Sequence, residues 1–109
     1  MTQIHKMKLE LRRGALVLAV LSILREEHYG YSLRKTLSSN GIEIDEGTLY
    51  PMIRRLEDNE LLTSEWRMEG KRKKRFYILS PEGTKILGEL TTEWQEISHS
   101  LTNILECKS

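Results

Sequence analysis

The densest chemistry in this chain is electrostatic. Between residues 67 and 75 stand Arg67, Lys71, Arg72, Lys73, Lys74 and Arg75 against one acid, Glu69, a local net charge of +5. Residues 1–66 carry nine basic and ten acidic side chains, net −1. From Ser80 onward Lys85 and Lys108 face Glu82, Glu89, Glu93, Glu96 and Glu106, net −3. The whole chain has a formal net charge of only +1, so the positive field is local. Concentrated ammonium and guanidinium groups suit phosphates, where charge counts for more than precise shape. A basic run alone is also what an ordinary solvated loop looks like, so its neighbours decide its meaning. Upstream, Thr48, Tyr50, Arg54 and Arg55 lie on the outer part of a helical pattern. Threonine can touch a base edge or a thymine methyl, and arginine can pair with guanine or phosphate.

Other chemistries find no support. His5, His28 and His99 are scattered, with no His, Cys or carboxylate at ligand spacing on one helix face, so no metal is expected. Ser32 and Ser64 have no discernible His/Asp arrangement. Glycine occurs in turns and not in a phosphate-cradling loop. The carboxylates of the last segment read as a solvated face, not an acid/base pair. The single cysteine, Cys107, permits no internal disulfide and fits a reducing compartment as a free thiol. The stretch Ala15 to Leu24 is interrupted by Ser22 and too short to span a bilayer, and no secretory signal is visible. The expectation is a cytoplasmic non-enzyme with no cofactor and no membrane partner.

The elements that would position the cations follow from periodicity. The length of 109 residues suits one domain with a modest core, which a dimer interface would help. Thr2 to Lys8 reads as a polar, flexible leader. From Leu9 a helix carries Leu11, Ala15, Leu16, Leu18, Ala19, Val20, Ile23 and Leu24 on a wide apolar face, and is expected to be largely buried. It ends near Glu26-Glu27-His28, with Gly30 marking the break. A second helix starts near Tyr31-Ser32, packs through Leu33 and Leu37, and stops at Asn40-Gly41. Ile42-Glu43-Ile44 alternates like a short strand. Asp45 suits the N-cap of a third helix, with Glu46 in its first turn. Leu49, Met52, Ile53 and Leu56 form its buried face, opposite Gly47, Pro51, Arg54 and Asp58. Pro51 is about one turn in, where a missing N–H costs little.

A hairpin follows. Leu62, Ser64, Trp66 and Met68 alternate with Thr63, Glu65 and Arg67. After Gly70, Arg75, Tyr77 and Leu79 alternate with Phe76 and Ile78. Ser80-Pro81-Glu82 opens the last helix with a cap, a proline and an acid. Its apolar residues Leu87, Leu90, Trp94, Ile97, Leu101 and Ile104 fall on an a/d heptad seam. So narrow a seam implies a partner helix, either the first helix, a second copy of the chain, or both.

This order is a winged helix-turn-helix: mainly α with a small β-hairpin over residues 1–79, then a dimerisation helix over 80–109. The third helix is placed to enter a major groove, and the hairpin tip is the wing. The competing reading is a protein-interaction module that works through the seam, with the wing charge incidental.

The chain resembles the PadR family of bacterial transcriptional regulators. The resemblance lies in His28-Tyr29-Gly30-Tyr31-Ser32-Leu33, Gly47-Thr48-Leu49-Tyr50-Pro51, Arg54-Arg55-Leu56-Glu57, Glu60-Leu61-Leu62, Glu65-Trp66 and Lys74-Arg75-Phe76-Tyr77-Ile78-Leu79-Ser80. It spans roughly residues 9 to 105, and the single last helix matches the short subfamily. The resemblance implies a homodimeric repressor on palindromic double-stranded DNA, released by a small aromatic or hydrophobic effector. It implies DNA contacts at Tyr31 and Ser32, at Thr48, Tyr50 and Arg54, and on the wing at Lys71, Arg72, Lys73 and Lys74; Pro51 and Arg55 of the same helix are further candidate contacts. Trp94 matches a tryptophan that stacks on flat ligands in some relatives. Simple packing in the seam is its other reading. Trp66 is expected to be structural. Two departures stand out: Asp45-Glu46 replaces the small pair common before Gly-Thr, and the wing lacks paired glycines. Glu46 would repel phosphate unless it faces away.

Overall fold

The computed structural model describes residues 2–107. The chain forms α1 (Gln3–Ile23), β1 (His28–Tyr29), α2 (Gly30–Ser39), α3 (Glu46–Asp58), β2 (Leu62–Glu69), β3 (Arg72–Leu79) and α4 (Pro81–Glu106). The strands make an antiparallel sheet in the order β1-β3-β2. The core is built where the end of α1, α2, α3 and the base of the sheet converge. Val20, Leu21, Leu24, Leu33, Leu37, Leu49 and Ile53 are almost wholly buried there, and Met52, Leu56, Leu62 and Leu87 close its edges.

The turns obey local rules. α2 ends with Gly41 at φ 85°, while Gly41 N–H donates to Ser38 O and Ile42 N–H to Leu37 O, each at 2.9 Å. α3 ends in the same bonding pattern, Glu60 N–H to Glu57 O and Leu61 N–H to Leu56 O. There the left-handed position is held by a non-glycine residue, Glu60, at φ 65°. Asp45 is the N-cap of α3 by backbone conformation, although its side chain makes no cap hydrogen bond.

Ser80 ties the last helix to the domain. Its hydroxyl accepts from Gly83 N–H at 2.9 Å and donates to Glu60 O at 2.7 Å, and its N–H donates to Leu61 O. Gly83 is buried so tightly that a Cβ would overlap the Leu61 carbonyl oxygen. α4 therefore leaves the domain in one fixed direction. The radius of gyration is 16.2 Å, against ~13 Å for a compact chain of this length. The excess reflects the projecting ends of α1 and α4.

Three expectations are corrected. The polar leader is helical: α1 starts at Gln3, capped by Thr2, whose hydroxyl accepts from His5 N–H at 3.3 Å. Ile4, Met7 and Leu11 continue a helical stripe that the surrounding polar residues obscure. Second, α1 is not largely buried within the chain. Only Val20 and Leu21 of that helix are buried, while Leu11 is 78% exposed, because the N-terminal half extends past the domain. Third, Ile42–Ile44 forms no strand. Both isoleucines pack on the core from an irregular connection, and the third strand is His28–Tyr29, paired with Tyr77 and Phe76. Along the α4 seam Leu87 is buried, but Leu90, Trp94, Ile97, Leu101 and Ile104 are exposed.

Gly83→Ala should lower the melting temperature by an amount equivalent to about 1–3 kcal/mol, the usual penalty of overpacking. Gly88→Ala, where an added Cβ meets nothing within 4 Å, should not. Thermal melts followed by circular dichroism would separate the two.

Candidate nucleic-acid interface

The candidate interface residues lie on α3, at the start of α2 and on the β2–β3 hairpin. On α3, Thr48, Pro51, Arg54 and Arg55 are exposed, while Leu49, Met52, Ile53 and Leu56 anchor the opposite face. Tyr50 is half-buried and packs on the core. A Cβ at Gly30 would overlap its hydroxyl, so the tyrosine seats against the first residue of α2. Glu46 pairs with Arg34 of α2 at 2.9 Å while its side chain stays 64% exposed. That pairing offsets part of the negative charge that its sequence position brings to the start of α3.

The two α2 candidates differ in role. Tyr31 is 61% exposed and stacks beside Tyr29 at 6.3 Å. Ser32 instead spends its hydroxyl on capping the helix. Its oxygen accepts from Tyr29 N–H at 3.1 Å, its proton goes to Tyr29 O at 3.0 Å, and His28 Nδ1 lies 3.0 Å away. These bonds leave it little capacity for an external partner.

The wing cations divide into two groups. Lys71, Arg72 and Lys73 follow the Gly70 turn, exposed and without an ion pair among the described residues. Arg67, Lys74 and Arg75 are engaged. Arg67 bridges Glu27 and lies over the Phe76 ring at 4.0 Å. Lys74 bonds Glu69 at 3.1 Å and sits 4.2 Å above the Tyr29 ring. The Glu69 hydrogen bond raises the Lys74 ammonium above its ordinary pKa, so its charge persists. Arg75 Nη2 reaches both Glu57 carboxylate oxygens at 3.0 and 3.2 Å, and its Nε donates to Ser64 Oγ at 2.9 Å. Ser64 Oγ in turn donates to Glu57. Glu57 belongs to α3, Ser64 to β2 and Arg75 to β3, so this triad pins the wing to the helix. Beside it, burial pushes the Tyr77 phenol above its usual pKa and keeps it neutral.

Sequence reasoning did not single out the triad. The available signal was phase: Arg75 alternates with Tyr77 and Leu79, the inward face of its strand. The Trp66 expectation also needs correction. Trp66 is 55% exposed, with no place in the core. Its strand has left the domain by that point, so the face that buries Leu62 is open at Trp66. Between α3 and the wing lies a cleft of 480 Å³ lined by Tyr31, Tyr50, Arg54, Trp66, Arg72 and Lys73 among others, with no acidic residue on its walls.

Residues 17–89 match the transcriptional regulator PadR-like family. The chain belongs to that family. It is similar to a PadR family transcriptional regulator from Eggerthella lenta, with 44% identity, a TM-score of 0.89 and coverage of 96% of this chain and 94% of that one. A PadR-like transcriptional regulator from Bacillus cereus matches at 26% identity and a TM-score of 0.82, covering 91% and 99%. The transcriptional regulator Rv3488 of Mycobacterium tuberculosis is 34% identical over 93 residues, 84% of this chain and 87% of the relative. This PadR-like chain is thus a winged-helix transcriptional regulator of a non-enzymatic family, whose activity is DNA-binding regulation. Among the described residues no helix is long and apolar enough to cross a membrane, and no His, Cys, Asp and Glu group could hold a metal.

Arg75→Ala should destabilise the protein by about 1–2 kcal/mol, a charged hydrogen-bond contribution reduced by partial exposure. Arg72→Ala should leave stability unchanged. Urea unfolding curves of the two variants would show whether the wing cations divide in this way.

Proposed function

We propose that this PadR-like regulator is a cytoplasmic, ligand-responsive, homodimeric repressor that reads a palindromic operator. The observation that carries the reading is a set of three exposed wing cations, Lys71, Arg72 and Lys73, in no ion pair among the described residues, of which Arg72 and Lys73 line one cleft together with Arg54 of α3. In this reading Thr48, Tyr50, Arg54 and Arg55 enter the major groove, with Pro51 at its mouth. Tyr31 and Lys74 flank them, and the wing tip grips phosphates. Ser32 contributes by fixing the start of α2.

Homodimerisation is supported by the seam. Leu90, Trp94, Ile97, Leu101 and Ile104 are 38–66% exposed at heptad spacing, and such a row is buried by a second helix. Dimer symmetry would set two α3 helices ~34 Å apart, one DNA turn. Trp94 is 46% exposed on that seam. A flat aromatic or hydrophobic effector between two such tryptophans would alter the angle between the domains, which couples effector and operator binding.

Gel shifts of the protein on DNA upstream of its own gene test the reading. Wild type should bind specifically, with affinity falling steeply as salt rises. Replacing Lys71, Arg72, Lys73 and Lys74 by glutamine should abolish the shift without unfolding. An unchanged function in that variant would favour the interaction-module reading, in which the exposed seam is the working surface.

Leu101→Glu should convert a dimer to a monomer with unchanged helix content, because Leu101 is 45% exposed in the single chain. Light scattering after size exclusion would report the mass. A dimer that survives the charge would contradict the seam assignment.

A further inference from the structure

We infer that Trp66 is a direct DNA contact: the apolar wall of a seat for one deoxyribose–phosphate strand, lying in the cleft between α3 and the wing. The inference rests on the DNA-binding reading above and goes beyond its contacts.

The cleft is lined by Arg54 of α3 and Tyr31 of α2 on the helical elements, and by Trp66 of β2 with Arg72 and Lys73 of β3 on the wing. Its cations face no acidic lining residue, so an anion is the occupant that charge selects. A bare anion would not account for the aromatic surface. Trp66 is 55% and Tyr31 61% exposed, and large aromatic faces left in water mark contact sites. Trp66 pairs with Arg75 across the hairpin, and the Lys73 Nζ and Arg75 Cζ lie 5.5 and 5.6 Å from its ring centroid. A ring between cations matches a strand on which apolar sugar faces alternate with charged phosphates.

The fold explains why one strand must pass there. A recognition helix in the major groove and a wing beyond it straddle the intervening backbone. The bases of that strand are stacked inside the duplex, so its sugars and phosphates are what the cleft meets. Trp66 would pack on a sugar while Arg72 and Lys73 reach the phosphates on either side.

Emission from the two tryptophans, Trp66 and Trp94, tests this during titration with the upstream duplex. DNA should change the emission of wild type, and that change should vanish in Trp66→Phe, which retains Trp94. Trp66→Ala should weaken binding on the order of tenfold, with Trp66→Phe recovering most of the loss. The salt dependence of Trp66→Ala should match wild type, because no phosphate contact is removed. Arg72→Ala, by contrast, should lower the slope by about one. A flatter slope in Trp66→Ala would overturn the inference, since Trp66 would then act only by positioning its neighbouring cations. DNA binding with unchanged emission and full affinity in Trp66→Ala would also overturn it while leaving the repressor reading intact. If wild type binds no DNA, the repressor reading itself fails and the inference falls with it.

Discussion

The geometry of this regulator depends on one ionic triad, Glu57, Ser64 and Arg75. A two-stranded hairpin is marginally stable by itself, and here the outer half of β2, from Trp66 to Glu69, is solvent-exposed on both faces. The triad ties its base to α3, and β1 adds a third strand on the other edge. Arg67, bound to Glu27 across the Phe76 ring, braces the opposite face. The gap between helix and wing is therefore preset. Preset spacing matters on DNA because phosphates recur at fixed intervals, and cations already at that spacing lose less freedom on binding. Three of the six cations in the basic stretch act in this architecture, and the three at the turn stay available.

A second tie transmits geometry from the seam to the domain. Ser80 links the start of α4 to the end of α3 through Glu60 and Leu61, and Gly83 allows backbone contact there. A change in the tilt of α4 at a partner helix would thus move α3 and the wing as one piece. Binding at the far end of a helix can alter the spacing of two DNA-reading surfaces only if such a joint is stiff. Here the joint consists of buried backbone contacts with little room to slip.

Much of this organisation was legible in the sequence. The heptad spacing from Leu87 to Ile104, the cap at Ser80-Pro81, the stop at Asn40-Gly41 and the buried face of α3 all follow from local rules, and the structure places them accordingly. What escaped depends on the folded context of each segment. Gln3–Lys8 looked irregular because polar residues mask the stripe of Ile4 and Met7. Ile42 and Ile44 alternate like a strand, yet no free sheet edge lies beside them. His28–Tyr29 is too short to signal a strand, and it exists because β3 offers an open edge. Trp66 looked structural by residue type, and only the projection of the wing shows that its face is open. Arg75 had the right chemistry for DNA, but Glu57, which occupies it, lies 18 residues away in sequence; Ser32 and Lys74 are engaged by residues three to five positions away that only the folded helix start and hairpin turn bring to them.

In the proposed dimer, two such domains joined through the α4 seam would hold their recognition surfaces one DNA turn apart. Hydroxyl-radical footprinting on the DNA upstream of the gene tests it most directly, since it reads backbone protection at single-nucleotide resolution. Two symmetric protected tracts with centres about 10 base pairs apart are expected of the proposed dimer. A single short tract, or asymmetric protection that persists when the seam is broken by Leu101→Glu, would contradict it.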